Sequence, residues 1–212
     1  MVADFKGYQE QRRILELGWR AERRPYLAGG FAEDALLYHQ PSREHMDIDW
    51  FVLRPDLDYY LDLARQFGFT TCRTFGNNAS GEPFYLSCAA NDSLWIDLAI
   101  GEVDAEGNIY GEIAELLFDT TDLPPFTPFR IYFDKDILHY PLTEFDGLAL
   151  QTMSPLGLYQ FRAGFHRHRT FGELRETDKQ SMAALKARFF AHQSDEELMP
   201  VTEVISQPDS PR

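Results

Sequence analysis

The sequence predicts a mixed α/β lobe over residues 1–150, a small helical lobe over 151–192, and a flexible tail over 193–212. Three observations predict it. Short apolar runs of strand length, Ile48–Leu53 and Leu94–Ile100, sit in the first lobe. A Gly29-Gly30 pair separates a strand-like Tyr26-Leu27-Ala28 from a helix-like stretch. Ser154-Pro155 reads as an N-cap followed by proline at the first helical position, and opens the helical region.

Taken in order, Ile14, Leu15, Leu17 and Trp19 give an amphipathic helix over about Tyr8 to Arg23, ended by Pro25. Tyr26-Leu27-Ala28 is a short strand, and Phe31 to Tyr38 a helix. The polar loop Gln40–Glu44 leads into the strand Ile48–Leu53, stopped by Arg54-Pro55. Leu57 to Phe67 reads as a helix with Gly68 at its C-terminal end. Thr70–Thr74 and Phe84–Cys88 are strand candidates flanking a turn-rich Gly76–Gly81, and Leu94–Ile100 is a strand with one charge at its centre. Asp104–Gly107 and Pro124-Pro125 mark turns, and Phe129–Phe133 and Leu148–Met153 are further strand candidates. A helix follows Ser154-Pro155 to about Phe165. A second runs from Phe171 or Glu173 to Phe190, with Met182, Leu185 and Phe189 on one stripe.

With 212 residues, 44% of them hydrophobic and 14% aromatic, the chain has enough apolar surface for a core of one large domain or two small lobes. No apolar run approaches the ~20 residues that span a bilayer, and the N-terminus lacks the apolar segment of a secretory signal. Cys72 and Cys88 show neither a metal-site spacing nor a disulfide framework, which predicts reduced thiols in a cytoplasmic protein. Residues 25–161 hold 22 Asp/Glu against 6 Lys/Arg, whereas residues 162–192 hold 7 Lys/Arg against 3 Asp/Glu. Between Glu102 and Asp122 there are seven acids and no base. Such an acidic body disfavours a nucleic-acid partner, whose phosphates need cations. It suits a small cationic acceptor, or simply solubility.

The chemistry concentrates in three acids. Side chains at i and i+2 of a strand leave the same face, so Asp47 and Asp49 point together while Ile48 and Trp50 point away. Paired carboxylates in an apolar strand need compensation, which divalent cations supply. Asp97, centred in a second apolar run, would join them if the two strands were neighbours. Two magnesium ions about 4 Å apart, bridged by carboxylates, are what nucleotidyl transfer requires. Asp97 would ligate the metal near the acceptor hydroxyl and take its proton. Gly29-Gly30, between strand and helix, would let the backbone and a helix N-terminus approach a phosphate.

Leu27-Ala28-Gly29-Gly30-Phe31-Ala32, Asp34, and Ser42-Arg43-Glu44-His45-Met46-Asp47-Ile48-Asp49 together resemble the aminoglycoside and lincosamide nucleotidyltransferases of the polymerase-β-like superfamily. The resemblance implies an α/β (α+β) nucleotidyltransferase-type fold, a four- or five-stranded mixed sheet flanked by helices, with a helical C-terminal lobe. It also implies a nucleoside triphosphate held by Gly29 and Gly30, with Asp47 and Asp49 binding magnesium and Asp97 as the third carboxylate. Arg43 would contact triphosphate oxygens and His45 orient a carboxylate or the nucleotide, with Asp34 bracing Arg43. Phe31 and Glu33 depart from the family's usual Trp and apolar residue. Arg162 stands where such enzymes present a lysine to the phosphates, and would meet them as a fork. In the basic segment Arg162, Arg167, Arg169, Arg175 and Lys179 face a phosphate tail or dock the lobes; His166-x-His168 lacks the partners of a zinc site.

The expected activity is magnesium-dependent transfer of a nucleoside monophosphate, AMP from ATP or another triphosphate, to a hydroxyl of a small and cationic acceptor such as an aminoglycoside. The acidic stretch Glu102–Asp122, with Glu144 and Asp146, would receive that acceptor. The rival readings are a toxin-like enzyme acting on tRNA or protein, and a non-catalytic nucleotide-binding module.

Overall fold

A computed structural model describes residues 5, 7–118, 126–167 and 175–205, with the side chains of 165–167 outside that set. The described elements are α1 (Tyr8–Arg20), β1 (Tyr26–Leu27), α2 (Gly29–Tyr38), β2 (Asp47–Leu53), α3 (Leu57–Gln66), β3 (Thr71–Asn77), β4 (Pro83–Asn91), β5 (Leu94–Val103), β6 (Ile109–Ile113), β7 (Glu115–Leu116), β8 (Phe129–Tyr132), β9 (Thr143–Phe145), β10 (Leu148–Leu150), α4 (Pro155–Arg167), α5 (Glu176–Phe189), α6 (Asp195–Leu198) and β11 (Val201–Val204). The turn at Pro124-Pro125, His168, Arg169 and residues 206–212 lie outside the described residues, as do the side chains of His166 and Arg167.

Alternation along β2 and β5 organises the molecule. Ile48, Trp50, Ile96 and Leu98 are all but fully buried, and Trp50 packs edge-on to Tyr60 of α3 and beneath α1 at Gly18. Burying one such side chain contributes roughly 1.5–3 kcal/mol, so this back face fixes the register that leaves the aspartates on the other. β2 and β5 run parallel, with Asp49 opposite Asp97 and Ile48 opposite Ile96.

The sheet is mixed, as expected, but it has nine strands among the described residues, not four or five. β1 pairs with β2, β2 with β5, and β5 with β4, which continues to β3 and β7. The far end of β5 pairs with β6, then β8 and β11. β9 and β10 form a separate hairpin.

Two expectations are corrected here. The tail from residue 193 is not free: Ser194 caps α6 in a reciprocal box with Glu197, and β11 returns to the sheet against β8. The 151–192 helices are therefore followed by a segment that belongs to the first lobe's sheet. Cys72 and Cys88 are not separate thiols: they face each other across β3 and β4, and their sulfurs are bonded. Leu185 is fully buried on the expected stripe of α5, and α4 and α5 both pack on α2. No helix among the described residues is long and apolar enough to cross a membrane.

Candidate active site

Asp47, Asp49 and Asp97 share one face of the sheet. Asp49 and Asp97 are register partners on adjacent parallel strands, and Asp47 lies two residues before Asp49. Burial, with the fields of Asp47 and Asp97 added to it, pushes the Asp49 carboxyl well above the usual carboxylate range. Burial also raises Asp97, against hydrogen bonds donated by the Ser87 and Tyr85 hydroxyls to its two oxygens. Tyr85 is itself raised far above an ordinary phenol by burial and by the neighbouring carboxylates. Ionising both Asp49 and Asp97 gathers negative charge that burial disfavours.

That charge tests the fit of a divalent cation. Three carboxylates on one face are hard oxygen donors of the kind magnesium takes, and positive charge there would relieve the repulsion at Asp49. In their present rotamers, no three His, Cys, Asp or Glu side chains among the described residues close around one point. The oxygens of Asp97 are turned to Ser87 and Tyr85. The donor chemistry fits.

Gly29 starts α2 at φ +56°, and a Cβ there would lie 1.8 Å from Asp49 Oδ2. The backbone at the start of α2 is pressed against the carboxylate, a contact only glycine allows. Gly30 has a different neighbourhood: a Cβ there would lie 2.5 Å from His45 Nδ1 and 2.7 Å from an Arg43 Nη. His45 and Arg43 therefore converge over the Gly30 backbone, beside a helix N-terminus, and form a cradle that a side chain would fill. We predict that Gly29→Ala lowers stability by about 1–3 kcal/mol through its positive φ and displaces Asp49. Gly30→Ala, whose Cβ would press on the buried His45 ring and on Arg43, should raise the KM for nucleotide more than Gly29→Ala does. Thermal unfolding and steady-state kinetics of the pair check this, and equal effects on both readouts would argue against two separate roles.

His45 is locked from behind. Its Nε2 lies 2.8 Å from Asp34 Oδ2, its ring packs at a tilt against Phe31 with centroids 4.1 Å apart, and its carbonyl accepts from Gln11. Asp34 also accepts from the backbone N–H and hydroxyl of Ser42. The expected Asp34–Arg43 strut is thus replaced: Asp34 braces His45 and the loop before β2, while Arg43 donates to the Glu44 carbonyl.

Arg162 differs from expectation too. From α4 it donates to Glu33 of α2 and to Asp178 of α5, and its side chain is 14% exposed. Arg175 also binds Asp178, whereas Lys179 lies near exposed Glu176. The fork joins three helices and faces Asp49 only as a field.

Of the acidic stretch, Glu102, Glu112 and Glu115 are occupied within the chain, and Asp119 and Asp122 lie outside the described residues. Alternation along β5 puts Glu102 on the face opposite Asp97, where it binds Arg54 and Asn78. Glu112, opposite Arg130 in register, binds Arg130 and the Ala79 N–H, and Glu115 accepts from Asn77. Asp146 is held by Tyr8 and Arg12. These acids do not gather at the three aspartates.

Tyr85 and Ser87 were missed from sequence. Their signal was present: two hydroxyls at i and i+2 in an apolar strand, one turn of chain before Asp97.

No family model matches this chain, and no curated protein matches it in sequence. Solved structures do match. The lincosamide antibiotic adenylyltransferase LnuA, lincomycin-bound, is 18% identical, with 88% of this chain and 98% of that one covered at a TM-score of 0.56. The antibiotic-resistance factor ANT(2'')-Ia in solution is 14% identical, covering 90% and 88% at 0.57. The same enzyme in complex with adenylyl-2''-tobramycin is 14% identical, covering 90% and 92% at 0.53. The chain has the fold of these aminoglycoside and lincosamide nucleotidyltransferases over most of its length.

Proposed function

We propose that this chain is a magnesium-dependent nucleotidyltransferase that moves AMP from ATP to a hydroxyl of a small molecule. The observation that carries the reading is the register of Asp49 with Asp97 on one sheet face, with the Gly29 backbone seated against Asp49. In the reaction, the acceptor oxygen forms a bond to the α-phosphorus. The bond from that phosphorus to the bridging oxygen breaks, and pyrophosphate leaves with its electron pair. Bound magnesium would lower the charge on the triphosphate and on the attacking oxygen. Asp47, Asp49 and Asp97 would hold it.

The remaining work falls to the chain's own groups. The Gly30 backbone, Arg43 and His45 bind phosphate oxygens, with Asp34 fixing the imidazole. Asp97 takes the hydroxyl proton, its carboxylate oriented by Tyr85 and Ser87. Solved structures of this fold hold lincomycin or adenylylated tobramycin, which supports a small hydroxylated molecule as the acceptor.

A pyrophosphate-release assay with magnesium, each nucleoside triphosphate, and lincomycin, tobramycin, simple sugars and sugar phosphates tests the proposal. ATP-dependent release that needs both magnesium and an acceptor is the expected result. No release above that of Asp49→Asn with any pair of substrates would overturn it.

A further inference from the structure

The sheet order separates the two substrates of the proposed reaction. Gly29 and Gly30 lie at β1 and β2, on one side of β5, so the acceptor must approach over β4 and β3 on the other. What those strands present there is not acidic. Ser87 is the register partner of Asp97, and Arg73 the partner of Ser87. Asp49, Asp97, Ser87 and Arg73 therefore form one row across four strands, all on the same face.

Phe75, two residues after Arg73 on β3, lies on that face as well. The Phe75 ring meets Tyr85 edge-on at 5.8 Å, and the Arg73 guanidinium sits 5.2 Å over it. Tyr85 in turn donates to Asp97. Trp95, half-buried, flanks the row beside Asp47. The result is an aromatic shelf running from the acceptor carboxylate to a cation. Arg73 is exposed and forms no ion pair among the described residues. By contrast Glu102 and Glu112, acids of the kind that draw a polycation, are paired with arginines on the opposite face.

We propose that this shelf is the acceptor site and that Arg73 selects hydroxylated acceptors bearing an anionic group, a carboxylate or phosphate. Two strand spacings separate Asp97 from Arg73, so the anion lies within about 10 Å of the reacting hydroxyl. The inference rests on the proposed nucleotidyl transfer and names the substrate class of that site.

The test uses one sugar scaffold in three charge states. The protein is saturated with magnesium and α,β-methylene ATP, which fills the phosphate cradle without reacting. It is then titrated calorimetrically with glucosamine, glucose and glucose 6-phosphate. Glucose 6-phosphate should bind about 10–100-fold more tightly than glucose, the scale of a charge-assisted contact, and glucosamine no more tightly than glucose. Arg73→Gln should erase the advantage of the phosphate while leaving glucose and nucleotide binding unchanged. Equal binding of all three, tighter binding of glucosamine, or an Arg73→Gln protein that keeps the preference overturns the inference alone. Failure of the ATP analogue to bind overturns the proposed function, and this inference with it.

Discussion

Asp49→Asn should reduce transfer by at least about 10³-fold, roughly 4 kcal/mol of transition-state stabilisation, without lowering the melting temperature of the magnesium-free protein. The two halves of that result have one cause. Asp49 is enclosed, stands in register with Asp97, and feels Asp47 two residues away, so its ionised form is disfavoured in the fold. An amide of the same shape removes that repulsion, and stability should hold or rise. It also removes the central oxygen donor between the other two acids, and with it the means of holding a divalent ion. Magnesium should therefore raise the melting temperature of the native protein and fail to raise that of Asp49→Asn, because an ion that binds only the folded state stabilises it by mass action. Differential scanning calorimetry with and without magnesium, beside the pyrophosphate assay, reads both. A variant that keeps its activity, or that unfolds earlier than the native protein without metal, would show that Asp49 is a structural carboxylate.

Asp47, Asp49 and Asp97 were legible in the sequence because each breaks an apolar strand, and the i, i+2 spacing fixes which face it takes. Gly29 was legible as punctuation, although only the structure shows that its missing Cβ makes room for Asp49. Strands β2, β4 and β5 announced themselves in the same way, by alternation. β6 and β7 did not, because they lie in the acid-rich stretch. Glu112 is buried there only because Arg130 comes to it from β8, a neutralisation invisible to local pattern. β11 looks like tail in the sequence because Val201 and Val204 stay exposed on an edge and carry no burial signal. The cysteines were misread for a related reason: a cross-strand bond depends on register between β3 and β4, not on spacing along the chain. The site's electrostatics show the same limit. Gly29, Gly30 and the aspartates are close in sequence or carried on recognisable strands. Arg162 meets Glu33 across 129 residues, and nothing near either residue names the other.

That long-range contact carries the second large expectation. Arg162→Met should lower stability by about 3–5 kcal/mol, the cost of leaving a buried carboxylate without its cation. For a chain of this length that corresponds to a melting temperature lower by on the order of 10 °C. Burial works against the Arg162 charge, but Glu33 and then Asp178 outweigh it and hold the guanidinium protonated. The Glu33 side chain is 3% exposed, and Arg162 is its one ion-pair partner among the described residues, whereas Asp178 keeps Arg175. The loss should therefore fall mainly on Glu33. Adding Glu33→Gln to Arg162→Met should recover much of the stability, since the orphaned charge is removed along with its partner. Arg162→Lys should recover little, because a single ammonium cannot reach two carboxylates on different helices as the fork does. Glu33 and Arg162 thus act together in tying α4 to α2 and α5. Were Arg162 instead a phosphate ligand, Arg162→Met would keep its melting temperature and raise the nucleotide KM, and Glu33→Gln would rescue nothing. Thermal unfolding of the two single variants and the double variant, beside their nucleotide KM, separates a strut between helices from a hand on the triphosphate.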